Sequence, residues 1–179
     1  MEMKMKKFIL PLLLLLFAFT ASAQTPNNEV QNVKCCEIIV QTITGTTDTT
    51  AKSDLPKNLT DIGNKLKSIF VFSSYRLSKT QIFRSSEGFE QKDSVTESST
   101  SEEVALRGLK QTQGNFHFDY FRFSLLLRTL KSINETAFTV KHFSIDSNTP
   151  TLLGSVSLPK TDKSFDEAAF IVVTVKPVD

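Results

Sequence analysis

From Val33 onward, apolar positions fall into short runs set apart by polar clusters, and most runs alternate with period two. Val33 to Thr44 (VKCCEIIVQTIT) is rich in β-branched residues and predicts a first strand. Leu55, Leu59, Ile62, Leu66 and Ile69 recur at steps of four, three, four and three, which places them on one stripe of a helix over 55–70. Ser53 and Asp54 are expected to cap that helix, with Pro56 in its first turn. Phe72, Tyr75, Leu77 and Ile82 predict a second strand beginning around Ser74.

The stretch 85–101 is crowded with Ser, Thr and Glu and reads as a mobile loop or an exposed hairpin. Residues 102–110 suit a helical turn or a strand. Asn115 to Leu130 then predicts a long strand. Phe116, Phe118, Tyr120 and Arg122 share one parity, while His117, Asp119, Phe121 and Phe123 share the other. Ala137 to Ile145, Leu152 to Leu158 and Ala168 to Val175 predict three more strands, with turns at Asn148-Thr149-Pro150 and through Lys160, Asp162 and Lys163. Consecutive strands with short links favour antiparallel pairing. The expected architecture is α+β: one amphipathic helix packed on a mainly antiparallel sheet, in two layers. The C-terminal strands are more apolar than one helix can cover. A second sheet, a curled sheet or a protein partner would supply the remaining burial.

The first 23 residues follow a different logic. Lys4, Lys6 and Lys7 precede an apolar run from Phe8 to Phe19, and Ala21 and Ala23 then stand in A-x-A spacing. This is the layout of a secretory signal peptide, with cleavage expected between Ala23 and Gln24. The apolar run of 12 residues is short of the roughly 20 that span a bilayer, which argues against an uncleaved anchor. No cysteine stands at the cleavage point to carry a lipid. The leader is of a bacterial type, so the expected location is periplasmic or extracellular, with no stable membrane insertion after cleavage. Residues 24–31 read as a flexible polar leader, and 32–179 as a single α+β domain.

Removing 23 residues from 179 leaves 156, enough for one domain with a real core. Taking the three leader lysines and Glu2 from the 21 basic and 19 acidic residues leaves 18 of each. A neutral mature chain offers no general electrostatic basis for nucleic-acid binding. The 15 phenylalanines contrast with two tyrosines and no tryptophan, which leaves only Tyr75 and Tyr120 to stack on a sugar. Cys35 and Cys36 are adjacent. Neighbours on a strand point to opposite faces, so one buried thiol and one exposed thiol is the first reading. An intermolecular disulfide, a redox role and a strained vicinal bridge are the alternatives.

No cofactor or metal site is expected: the six glycines are scattered singly, and Cys and His lack ligand spacing. His117 with Asp119, or His142 with Asp146, could serve a serine, but no Gly-x-Ser-x-Gly elbow accompanies them. Glu102-Glu103 and Asp166-Glu167 read as solvated pairs.

Thr151 to Pro177 (TLLGSVSLPKTDKSFDEAAFIVVTVKP) resembles the end of the secretin domain of outer-membrane secretion channels, through Leu153-Gly154 and the apolar run Ile171 to Pro177. Leu66 to Leu77 (LKSIFVFSSYRL) is similar to a helix-to-strand join in small uncharacterised exported bacterial proteins. The chain lacks the repeated periplasmic modules and channel-sized strand set of secretins. The resemblance therefore implies an accessory envelope protein and assigns no site residues. The leading expectation is a non-catalytic envelope protein that binds a protein partner within an assembly, with self-association open. A carrier of an apolar ligand held between sheet and helix, and a small secreted hydrolase, are the alternatives.

Overall fold

The structure is a computed structural model that describes residues 36–85, 90–97, 100–112, 114–128, 133–158 and 165–178. The signal peptide, the Ala23/Gln24 cleavage point, the 24–31 leader, Cys35 and the 160–163 turn lie outside the described residues.

Among the described residues, nine strands form two antiparallel sheets. The first sheet runs β2 (Ser74–Ser85), β1 (Cys36–Thr46), β9 (Glu167–Pro177), β8 (Thr151–Ser157). In the second, β6 (Asn115–Arg128) is flanked on one side by β7 (Ile133–Asp146). Its other side carries β4 (Thr100–Arg107) and, further along, β5 (Lys110–Thr112). β3 (Glu90–Glu97) pairs outside β4, so strands run through the region read as a loop or hairpin. Residues 102–107 belong to β4, which resolves the helix-or-strand alternative at that point as strand.

The architecture is α+β, but the single sheet and two layers expected from the sequence become a helix, a sheet and a second sheet. The cause lies in β1 and β9. Along β9, Ala168, Phe170 and Val172 join the core under the helix, while Ala169, Ile171, Val173 and Val175 join the core between the sheets. On β1, Cys36, Ile38 and Val40 face the second sheet and Ile43 faces the helix. Two strands apolar on both faces need cover on both faces, and the second sheet provides what the helix cannot.

The outer strands reach both cores by a local device. β2 carries one extra residue, Ser78, between the pairs Thr42↔Lys79 and Ile43↔Leu77. Such a bulge inverts the alternation: Tyr75 and Leu77 pack with the helix core and Phe83 with the sheet-to-sheet core. The Ser78 hydroxyl meets that of Thr44. β8 does the same at Leu153, so Leu152 goes to the helix core and Val156 to the other. The next residue, Gly154, lies under the ring of Phe138 on β7, where an added Cβ would stand 2.8 Å from Cε2. The Leu153-Gly154 step thus serves the meeting of the two sheets. On the opposite flank, Lys79 of β2 and Glu102 of β4 pair at 3.0 Å across the gap between sheets.

The helix is shorter than its sequence pattern. A 3-10 turn at Lys57–Leu59 leads into α1 (Thr60–Ile69), and neither start has a side-chain cap. Ser53 and Asp54, expected as caps, are taken up by β2 instead. The Ser53 hydroxyl accepts from the Tyr75 N–H at 3.1 Å. Asp54 donates its N–H to Tyr75 O and accepts from Leu77 N–H. Leu59, Ile62 and Leu66 are buried as the stripe requires, but Ile69 is 66 % exposed. The chain turns extended at Phe70, and Phe70 and Phe72 take the place Ile69 would have filled. Their rings, with Tyr75, gather round Phe170, at centroid distances of 4.8, 5.7 and 5.9 Å. The Tyr75 hydroxyl donates to Leu66 O at 3.1 Å, so the phenol is buried with its polar end satisfied by the helix.

Phe170→Ala should lower the unfolding free energy by about 3–5 kcal/mol, as for a buried aromatic removed from a core. Ile69→Ala should stay within about 0.5 kcal/mol of the parent, although both positions look equally apolar in sequence. Urea unfolding of the two variants checks this. Burial raises the Tyr75 pKa above its ordinary value of 10.0. The unfolded chain therefore ionises first: Tyr75 contributes fully below pH 10.0 and loses its contribution as pH rises above that value. Tyr75→Phe should flatten the fall in stability between about pH 9 and 11, at a cost of about 1 kcal/mol at neutral pH for the lost hydrogen bond. Unfolding titrations across that range measure both effects.

Candidate functional site

In the second sheet the inside–outside alternation inverts at one height across β4, β6 and β7. On β6, Phe116 and Phe118 point inward, and beyond them Phe121 and Phe123 do. On the β4–β5 side, Val104 and Leu106 give way to Leu109; on β7, Phe138 gives way to Phe143 and Ile145. The register is the same on both sides of this line (Arg107↔Tyr120 and Lys110↔His117; Tyr120↔Lys141 and Phe118↔Phe143). Each strand therefore places two consecutive residues outward, and the sheet is creased transversely.

Two positions on the crease take left-handed backbone, Gly108 at φ 75° and His142 at φ 50°. Only glycine adopts that region without strain from a Cβ. At Gly108 a Cβ would also collide with the carboxylate of Asp119, which lies across it from β6.

The crease decides what the outer face presents. With unbroken alternation Tyr120 and Arg122 would follow Phe116 and Phe118 into the core. Instead both point outward. By register, Glu90, Arg107, Tyr120 and Lys141 form one row across β3, β4, β6 and β7, and Ala105, Arg122 and Thr139 form the next. Small Ala105 beside long Arg122 and Arg107 leaves a trough of about 520 Å³, lined by Glu90, Glu103, Ala105, Leu106, Arg107, Tyr120 and Arg122.

Arg107 pairs with Glu90 at 2.6 Å and Arg122 with Glu135 at 2.6 Å. Those hydrogen bonds come first among the causes that raise both guanidinium pKa values, so the two side chains stay charged at any working pH. The nearby Tyr120 phenol also favours the charged form of Arg122. The arrangement can hold a planar anionic group between two forked donors and a phenol.

The residues singled out from sequence are dispersed. Cys36 is a thiol with no exposed surface in the core between the sheets, while its neighbour Cys35 is outside the described residues. His117 Nδ1 lies 2.6 Å from the Ser144 hydroxyl, on the exposed outer face. His142 sits on the crease, and Asp146, expected to orient it, pairs by register with Asn115. Glu102 points into the sandwich to meet Lys79, so the Glu102-Glu103 pair is split between faces rather than solvated together. Tyr75 is buried, which leaves Tyr120 as the tyrosine available to a ligand. Among the described residues, no group of three His, Cys, Asp or Glu side chains is placed to hold a metal ion. Among them also, no helix is long and apolar enough to cross a membrane.

The trough is not visible along the chain because Arg107 lies on β4 and meets Tyr120 and Arg122 of β6 only through strand register. The one available signal was the Gly108-to-Tyr120 region, where inward parity changes between Phe118 and Phe121.

No protein-family model matches the chain, and no curated relative matches it. The crystal structure of the human lysosome-associated membrane protein LAMP-3 is similar over 81 % of this chain and 83 % of that one, with 9 % identity and a TM-score of 0.24. At that TM-score the two share no demonstrated fold, and nothing about activity follows.

Gly108→Ala should destabilise by about 1–3 kcal/mol, the usual cost of a side chain in disfavoured backbone, with the Asp119 contact added. His142→Gly should hold or raise stability, since relief of about 1–2 kcal/mol of left-handed strain offsets glycine's extra unfolded-state entropy. Urea unfolding tests both. In a Cys35→Ser variant the single thiol of Cys36 should resist a water-soluble thiol reagent in the native state and react at the free-thiol rate in denaturant. Timed labelling with mass detection reads this directly.

Proposed function

We propose that this chain is an exported bacterial envelope protein of non-catalytic type, which binds another protein as the accessory module of an assembly. The observation that carries the reading is the outward cluster of Arg107, Tyr120 and Arg122 in a shallow trough on the second sheet. Tyrosine and arginine are the residue types that concentrate binding energy at protein interfaces. The leader sequence supports the compartment. The paired charges of the trough suit a polar, reversible contact.

The two alternatives meet specific obstacles. A carrier would hold its ligand between helix and sheet, where Leu59, Leu66, Tyr75 and Phe170 already fill the space with no exposed surface of their own. A hydrolase has a starting point in the close contact of His117 and Ser144. Both side chains stand in bulk water, where oriented dipoles stabilise a developing oxyanion far less than in an enclosed site.

Fractionation of the producing cells, followed by native electrophoresis and mass analysis of the envelope fraction, tests the proposal. The expected result is a chain beginning at Gln24, recovered in a complex of defined stoichiometry with a second envelope protein. Recovery from the cytosol with Met1 in place would overturn it. So would a lone monomer whose ester hydrolysis disappears in Ser144→Ala.

A further inference from the structure

We propose that two copies of this chain pair through the edge of the first sheet, β2 against β2, in antiparallel register about Ile82. This surface belongs to the other sheet and does not involve the trough.

Open hydrogen-bonding capacity on β2 is the first ground. Among the described residues, β2 has β1 on one side and, on the other, only the bridge from Asp54 to Arg76. The Asp54 bonds identify which backbone groups face that outer side: the Tyr75 C=O and the Leu77 N–H. Tyr75 and Leu77 stand opposite Gly45 and Ile43 of β1. Beyond the bulge, the next alternate positions of β1, Gln41, Ile39 and Glu37, stand opposite Thr80, Ile82 and Arg84. In an antiparallel ladder such alternate residues turn N–H and C=O away from the neighbouring strand. The backbone groups of Thr80, Ile82 and Arg84 therefore line an edge that no described strand meets. An edge of this kind is a template for a further strand.

The usual guards of an edge stand clear of this stretch. The bulge lies before it, at Ser78. Lys79 turns inward to Glu102. Arg84 Nε lies 3.6 Å from Glu37 on β1.

Register and side chains are the second ground, and they select a second copy. A two-fold axis through Ile82 pairs Ile82 with itself and Thr80 with Arg84 of the second copy. Every edge group of the three residues then has a mate. Centring on Thr80 or Arg84 leaves some groups unpaired, and centring on Arg84 also sets two guanidiniums face to face. With the axis at Ile82, Lys79 falls opposite Ser85. β2 ends at Ser85, so the second strand stops short of the Asp54 bridge. Ile82 is 58 % exposed, and its β1 neighbour Ile39 is half-buried. The pairing aligns Ile39 and Ile82 of one copy with Ile82 and Ile39 of the other in a single apolar row, which covers the exposed side chains. A contact of this symmetry closes at the dimer.

Sedimentation equilibrium of the mature chain in reductant tests the proposal, since reductant removes any disulfide through Cys35. From about 1 μM to about 1 mM, monomer and dimer should exchange, with no larger species. Ile82→Lys should weaken dimerisation at least about tenfold, because like charges then face each other where isoleucines packed. Thr80→Glu should strengthen it roughly two- to tenfold, through ion pairs with Arg84 of the second copy. Both positions are exposed, and an unchanged urea midpoint confirms that each variant is folded.

Disulfide trapping reads the register. In a Cys35→Ser background, Ile82→Cys should crosslink under oxidised glutathione, because the paired Cα atoms lie about 5.5 Å apart. Arg84→Cys should not, because the two copies of that position lie about 14 Å apart. A monomer across the whole range, a dimer unaffected by Ile82→Lys, or equal crosslinking from both cysteine positions would overturn the proposal. A monomeric chain held in a complex with a second envelope protein removes the dimer and leaves the function proposed above. A dimer with no second protein attached does the reverse.

Discussion

Burial of β9 and β1 on both faces is the constraint from which the rest of the architecture follows. Phe170 and Val172 need one apolar cover, and Ile171, Val173 and Val175 need another. A helix covers a stripe about 10 Å wide. It can close one side of a pair of strands, and here Leu59, Ile62 and Leu66 do so with Phe70 and Phe72. The other side requires a second sheet carrying the rings of Phe116, Phe118, Phe121 and Phe123. The bulges at Ser78 and Leu153 follow from the same demand, because the outer strands must contribute to both cores along one length.

The crease in the second sheet is the next consequence. Aromatic side chains from β6 and β7 interlock across it: Phe118 and Phe143 stack at 5.1 Å on one side, and Phe121 and Phe123 flank Phe138 at 5.9 and 6.1 Å on the other. Keeping apolar residues inward on both sides means giving up alternation between them. Gly108 and His142 adopt the backbone this needs. The residues displaced outward, Asp119 and Tyr120, are then available to the surface. A packing requirement and the outward trough thus share one origin, and a change at Gly108 would disturb both.

The two arginines of the outer trough are held by carboxylates from neighbouring strands, and its one aromatic group stands between them. The site is built on strands rather than loops, so its donors are positioned before any ligand arrives. Shallow depth and paired charge suit recognition of another surface better than enclosure of a small molecule. The buried thiol of Cys36 and the rings beneath the helix belong to the cores.

Much of this was legible along the chain. Period-two runs announced antiparallel strands, the spacing of Leu59, Ile62 and Leu66 announced a helix, and the doubly apolar C-terminal strands announced that one layer of cover was too few. Each is a local pattern, read from residues a few positions apart. The end of the helix was not legible, because Ile69 matches the stripe and yields only to Phe70 and Phe72, which reach Phe170 from a hundred residues away in sequence. Nor were the fates of Ser53 and Asp54, which fit a cap as well as they fit the edge of β2. The trough was the least visible feature. Arg107 joins Tyr120 and Arg122 through strand register, and the face they occupy is set by where three strands break alternation together. Local periodicity specifies which positions are apolar; register and the inversion of faces depend on contacts distant in sequence, and no single stretch of the chain contains them.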